Sequence, residues 1–135
     1  MEQFLIDQLM HAALREGRAA GVPITVSVVD DGGHLRAMVR QEGCSYFALE
    51  SSRKKAVTSS QLKLPTHVLA EIAQKMPSLQ ATFSANTEVW LLPGGFPIRH
   101  EGQVAGGLGV AGGDFVQDRT VAEKAVQAVD GEETQ

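Results

Sequence analysis

Cysteine and aromatic residues are scarce in this 135-residue sequence. Its single cysteine, Cys44, cannot form a disulfide within the chain, so a reducing, cytoplasmic setting is the simplest expectation. Aromatic side chains make up 5% of the residues, too few for a platform that stacks single-stranded nucleic acid. No apolar run approaches the roughly 18 residues of a membrane span, and the N-terminus lacks the features of a secretory signal. We therefore expect a cytoplasmic protein with neither membrane nor nucleic-acid partners.

The length and the charge distribution narrow the alternatives further. A chain of 135 residues suits one domain over residues 1–135, long enough to bury its own core. The net charge is −4, yet residues 36–63 hold six basic side chains and only two acidic ones. This stretch is either a solvated helix face or a site for a small anion such as a carboxylate. A polyanion is disfavoured because the rest of the chain is strongly acidic.

The first half of the sequence predicts a helix, a β-hairpin and a second helix. Apolar residues recur at helical spacing over residues 3–20. Residues 24–29 and 34–40 read as strands joined by a turn at Asp31-Gly32-Gly33, which predicts a tight antiparallel hairpin. The composition from Ser45 to Leu62 is helical.

The second half predicts a shorter helix, three strands and a final helix. The short helix opens at Pro65 and ends before Pro77, and the segment 78–86 is interpreted as irregular. Residues 87–92 read as a strand, and residues 96–99 and 103–110 as a hairpin. The last helix ends near residue 129, before a polar tail at 130–135. This order predicts an α/β (α+β) fold with a central antiparallel sheet and flanking helices.

Eight of the 14 glycines lie between Gly94 and Gly113. Residues 107–112 match the dinucleotide fingerprint G-x-G-x-x-G, but 23 residues remain after Gly112, too few to complete a Rossmann domain. A glycine in a strand lets a helix, another subunit or a flat ligand approach closely. The concentration of glycines in this stretch can therefore serve either close packing or ligand binding.

Four short segments together resemble the GlcG/HbpS family, formerly a domain of unknown function. They are Val28–Leu35, Lys55-Ala56, Gly94–Ile98, and Gly102–Gly113 with Asp118. The likeness extends over about residues 5–129 and includes the C-terminal domain of PduO-type corrinoid adenosyltransferases. It implies a profilin-like fold, a homo-oligomer and, in some members, haem binding. The glycine-rich strand and the apolar helix faces also favour a homo-oligomer, in which another subunit closes exposed apolar surface.

His34 is the candidate metal ligand, should haem bind. It follows the Gly32-Gly33 turn and opens a strand, where an imidazole can meet an iron from the rim of the sheet. The alternative is a turn histidine that bonds its own backbone. His67 and His100 are interpreted as surface residues.

Lys55 occupies the position where the family carries a lysine. Its ammonium, with Arg36 or Arg40, can neutralise a carboxylate or haem propionate, and we expect it at the rim of the site. Gly94 and Gly95 are expected nearby, because they leave room and offer N–H groups to an anion. If the protein is an enzyme, Lys55 is the candidate general base or Schiff-base former.

Three functions remain open at this stage. The first is binding of a small anionic ligand, with haem or a related tetrapyrrole as the leading cofactor. The second is catalysis on a small carboxylated metabolite, as an isomerase or a hydrolytic accessory in a catabolic pathway. The third is a structural or partner-binding module.

Overall fold

The computed structural model describes residues 1–133 and contains a four-stranded sheet with helices on both faces. The elements in chain order are α1 (Gln3–Ala20), β1 (Thr25–Asp30), β2 (Leu35–Arg40), α2 (Phe47–Leu62), α3 (Thr66–Gln74), α4 (Pro77–Ser84), β3 (Gly95–His100), β4 (Gln103–Ala111) and α5 (Phe115–Glu133). The strand order is β2-β1-β4-β3, and every neighbouring pair is antiparallel. The predicted mixed α/β class with a central antiparallel sheet is confirmed.

The first hairpin forms as its sequence predicts. β1 and β2 pair antiparallel, with Thr25 opposite Arg40. The turn places Gly33 at a φ of 81°, where a side chain would be strained. The Asp30 carboxylate accepts the backbone N–H groups of Gly32 and His34, both at 3.0 Å, which fixes the turn.

Two segments between α3 and β3 differ from the prediction. The segment interpreted as irregular contains α4, whose first turn carries Pro77 at a position that tolerates a missing N–H. The predicted strand at 87–92 is absent from the structure. Its polar backbone groups bond to side chains instead: Trp90 N–H donates to Thr58 Oγ1, and Thr66 Oγ1 donates to the carbonyl of Leu92. A strand-like composition therefore forms a loop where α2 and α3 supply the partners.

The last helix is longer than predicted. α5 continues through Glu133, so residues 130–133 of the expected polar tail are helical. Residues 134–135 lie outside the described part of the chain. Within residues 1–133, no helix has both the length and the apolar character needed to cross a bilayer.

One face of the sheet carries the main hydrophobic core. α1 and α5 pack there against the apolar side chains of the strands. Its fully buried members include Ile6, Leu9, Ile24, Val26, Val28, Leu108, Val110 and Val121.

The other face is covered by α2 at very close range. A Cβ added at Gly107 or Gly109 would collide with the carbonyl oxygen of Ala56 or Ser52, respectively. A Cβ at Gly95 would lie 2.5 Å from the carbonyl oxygen of Lys55. These three glycines let the backbone of α2 approach the sheet. A second subunit is therefore not required to cover the glycines of β4, because α2 of the same chain covers them.

Candidate functional site

The predicted site residues lie at two opposite ends of the sheet. The hairpin end holds the turn after β1 and the turn between β3 and β4, because Asp30 pairs with Gly106. The far end holds the start of β1 and the end of β4, where Thr25 pairs with Ala111. The two ends are about 17 Å apart along β4, because five residues separate Gly106 from Ala111 and each adds about 3.3 Å.

Lys55 forms a buried ion pair at the far end. Its Nζ donates to Asp118 Oδ2 at 3.1 Å and to the carbonyl oxygen of Val110 at 2.8 Å. Asp118 Oδ1 accepts the N–H of Gly113 at 2.8 Å. The pair thus connects α2 to the end of β4 and to the first turn of α5.

The ion pair is almost completely shielded from water. The side chains of Lys55 and Asp118 are 2% and 4% exposed. Burial lowers the pKa of Lys55 and raises the pKa of Asp118, since it disfavours both charged forms, while their mutual attraction opposes both changes. In this arrangement a dissolved ligand cannot reach the ammonium. Lys55 is therefore not the rim cation that the sequence predicted.

The structure brings Gly94 and Gly95 next to Lys55. A Cβ at Gly94 would lie 3.1 Å from Lys55 Nζ, and its φ is 123°. The N–H of Gly95 donates to Thr66 Oγ1 at 3.0 Å, so it is already engaged within the protein. These glycines make room for the lysine and for α2, and their role toward an anion stays a prediction.

Arg40 also lies at the far end but does not join the ion pair. Its Nη1 donates to the carbonyl oxygen of Cys44 at 2.7 Å. Cys44 is buried, with its Sγ 3.4 Å from Thr25 Oγ1. Arg40 thus ties β2 to the segment that leads into α2.

His34 lies at the hairpin end, and its side chain is 83% exposed. Its Nδ1 is 3.4 Å from Asp30 Oδ1. A carboxylate behind one ring nitrogen favours the proton there and leaves Nε2 as the available ligand atom. The hydrogen bonds that Asp30 accepts from the backbone N–H groups of His34 and Gly32 hold its pKa below its ordinary value, so the carboxylate stays ionised.

A cavity of about 490 Å³ opens at the same end, between the start of α1 and the turn after β3. Its volume is in the range of small-molecule sites, about 300–1,000 Å³. Arg36 approaches its edge, because Arg36 Nη1 donates to the carbonyl oxygen of Met1 at 3.0 Å. The cavity is lined by Met1, Glu2, Phe4, Leu5, Gln8, His100 and Glu101. The cavity therefore combines apolar side chains, two glutamates and a histidine, with an arginine near its edge.

The predicted residues thus separate into two groups. His34 and Arg36 lie at the hairpin end, whereas Lys55, Gly94, Gly95 and Arg40 lie at the far end. The sequence interpretation missed two participants. Asp118 occurs in the family motif, yet nothing in its spacing paired it with Lys55. His100 was assigned to the surface, since its turn gave no sign of the cavity that α1 completes.

The described residues contain no group of three or more histidine, cysteine or acidic side chains arranged to hold a metal ion. The fold and this arrangement define a small mixed α/β domain with a histidine-bearing cavity end and a buried ion pair at the opposite end.

Comparison with known proteins places this domain in a family. The family described as "Haem degrading protein HbpS-like" matches residues 3–127, so the chain belongs to the HbpS-like family. The resemblance inferred from the sequence is confirmed.

Three relatives illustrate the match. The corrinoid adenosyltransferase PduO of Citrobacter freundii is 32% identical over 125 residues, covering 92% of this chain and 37% of PduO. Protein GlcG of Escherichia coli strain K12 is 30% identical over 111 residues, covering 82% of this chain and 81% of GlcG. A crystal structure of a PduOC haem complex has a TM-score of 0.88 at 30% identity, covering 95% of this chain and 94% of that one. This chain therefore spans little more than a third of the length of PduO.

Proposed function

We propose that this protein binds haem or a related tetrapyrrole at the hairpin end of the sheet. The observation that carries the proposal is the cavity of about 490 Å³ whose walls combine Phe4, Leu5 and His100. Tetrapyrroles need an apolar slot for the ring and a nitrogen or sulfur ligand for the iron. A haem complex of the related PduOC supports the same ligand class.

His34 is the proposed ligand of the iron, should haem bind. Its imidazole is exposed, and Asp30 orients it through Nδ1. If haem were bound at this end, His34 would hold its iron through an imidazole nitrogen. Arg36 is the proposed partner of a propionate, because it is the predicted arginine at the same end of the hairpin as His34 and contacts the cavity edge through Met1.

The anionic ligand fits this end better than the far end. Lys55 already has Asp118 and the Val110 carbonyl as partners, and 2% of its side chain is exposed. The alternative of an enzyme acting through Lys55 gains no support from this geometry, because a substrate has no access to the ammonium.

Spectroscopic titration with haemin tests the proposal. The wild-type protein is expected to develop a Soret band that saturates at a fixed stoichiometry. His34→Ala is expected to shift or abolish the band, while His11→Ala, a histidine on α1, leaves it unchanged. Arg36→Ala is expected to weaken binding about tenfold or more, the loss typical of a charge-assisted hydrogen bond.

The possible outcomes test haem binding and the identity of the iron-binding histidine separately. Absence of a saturable band in the wild-type protein contradicts the function itself. A band that is lost in His100→Ala and kept in His34→Ala retains haem binding but assigns the iron to the cavity histidine.

We further propose that the protein forms a homo-oligomer. More than half of its aromatic side chains are exposed, namely Phe4, Tyr46, Phe47 and Phe115. Tyr46 and Phe47 stack on each other at 4.5 Å between ring centroids and form an exposed aromatic patch of the kind that interfaces use. Light scattering at micromolar concentration is expected to give a multiple of 14.4 kDa. A mass of one chain would refute the assembly.

A further inference from the structure

α3 and α4 form an arm, residues 66–84, that is lightly attached to the rest of the domain. α4 buries none of its residues. α3 buries three: Thr66, Leu69 and Ala73. A segment with so little buried surface is a candidate for local opening at a free energy below that of global unfolding.

His67 lies at the junction of this arm with the sheet. It is the second residue of α3, and its ring centroid is 5.6 Å from that of Phe96 on β3. Its Nδ1 is buried and has no hydrogen-bond partner. The preceding residue, Thr66, accepts the N–H of Gly95 through its Oγ1. This hydrogen bond also attaches the arm to β3.

A proton on His67 is unfavourable in this position for several reasons. The charged ring would carry an N–H at a buried nitrogen that has no acceptor. The ring also lies in the first turn of α3, where the helix dipole disfavours a cation. Arg119 on α5 adds a like charge, whereas Glu71 on α3 and Glu123 on α5 act in the opposite direction.

We propose that mildly acidic pH releases the arm from the domain by protonating His67. Release gives the imidazolium full contact with water and removes it from Phe96. The surfaces of Leu69 and Ala73 that are buried at neutral pH then become accessible. The arm thus acts as a proton-operated flap on the β3 side of the sheet.

The direction of the pH dependence follows from the proton affinities. Burial, the largest influence, lowers the pKa of docked His67 below its ordinary value of 6.5, which the released arm regains. The released state therefore binds the proton first. Docking is at full strength above about pH 6.5 and weakens as the pH falls towards the docked pKa.

Hydrogen–deuterium exchange read by mass spectrometry tests this switch. Protection of the α3 amides, corrected for intrinsic exchange and compared with β4, is measured between pH 7.5 and 5.0. The wild-type ratio is expected to fall with pH, about tenfold for each unit by which the released and docked pKa values differ. His67→Phe keeps a ring against Phe96 without a titrating nitrogen and is expected to show a flat ratio. His11→Gln is the matched control and is expected to follow the wild type.

Other outcomes overturn the switch. If α3 loses protection equally in His67→Phe, another group drives the release. If β4 loses protection in parallel with α3 in the wild type, acid unfolds the whole domain rather than the arm. Should His67→Phe fail to fold, His67→Gln takes its place, with the same flat ratio expected.

Discussion

The two faces of the sheet hold their helices by different means. On the face of α1 and α5, branched apolar side chains such as Val26, Val28 and Leu108 fill the space between the layers. On the face of α2, glycines remove that space, and the backbone of the helix lies almost directly on β4. The stability of the first face depends on side chains that fill the space between helix and sheet. The stability of the second depends on the absence of side chains at the glycines of β4.

Their sensitivities to substitution are therefore opposite. Burying a valine or leucine side chain contributes about 1.5–3 kcal/mol, so the apolar face loses stability when its side chains shrink. The α2 face has few such side chains and relies on close van der Waals contact and hydrogen bonds. It loses stability when its side chains grow or when a polar partner is removed.

The largest expected effect is at the ion pair that closes the α2 face. Lys55→Met leaves the Asp118 carboxylate buried without its cation and is expected to cost about 3–5 kcal/mol of unfolding free energy. Urea denaturation measures this loss. Lys54→Met is the matched control, because Lys54 lies 5.3 Å over the Trp90 ring and is expected to cost no more than about 1 kcal/mol. Equal costs at the two positions would show that the buried pair adds nothing special to this face.

An intermediate effect is expected where the helix meets the strand. Gly109→Ala places a methyl group against backbone atoms of Ser52 and Ala56, which cannot move aside alone. Overpacking of this kind costs about 1–3 kcal/mol, occasionally more. Gly32→Ala is the control, since its methyl group would meet only the exposed His34 ring and the Asp30 carboxylate. Thermal unfolding midpoints compare the two variants, and an unchanged midpoint in Gly109→Ala would mean that α2 is not held at contact distance.

The smallest expected effect concerns the hydroxyl pair within the α2 layer. Ser27 Oγ and Ser52 Oγ are 2.7 Å apart, and Ser52 also donates to the carbonyl of Leu49 at 3.0 Å. Ser27 is therefore the donor of the pair. Ser27→Ala is expected to cost about 0.5–1.5 kcal/mol. A double-mutant cycle with Ser52→Ala measures the coupling, and additive losses would show that the two hydroxyls do not interact.

The apolar face was predictable from sequence because its signal is periodic. α1 has the predicted bounds, Gln3–Ala20, and β1 and β2 start within one residue of the prediction. Alternation along β1 marks Val26 and Val28 for one face and Thr25 and Ser27 for the other. Local pattern and tertiary burial agree there.

The α2 face and the arm were less predictable, since their structure depends on contacts between distant segments. The sequence shows that β4 is rich in glycine, but it does not show which element packs against those glycines. The segment around Trp90 has a strand-like composition, but Thr58 on α2 captures its backbone N–H. For α4, Pro77 at its first turn was an available signal, because proline favours that position.

The relative positions of the candidate site residues were only partly predictable from the sequence. His34 and Arg36 follow one hairpin and stay together. Lys55 lies at the far end of the sheet. It pairs with Asp118, a residue 63 positions further along the chain. No local pattern encodes such a pairing.

The close approach of α2 also bears on how this sequence can change over generations. A core of branched side chains can drift, since a loss at one position is offset by a gain at its neighbour. The contact of Gly107 and Gly109 with Ala56 and Ser52 contains almost no side-chain volume to exchange. Enlarging either glycine has no compensating reduction available, because the atoms that its side chain would meet belong to the backbone of α2. The sequence of the α2 face is therefore expected to change more slowly than that of any other part of the domain, whichever ligand a given family member binds.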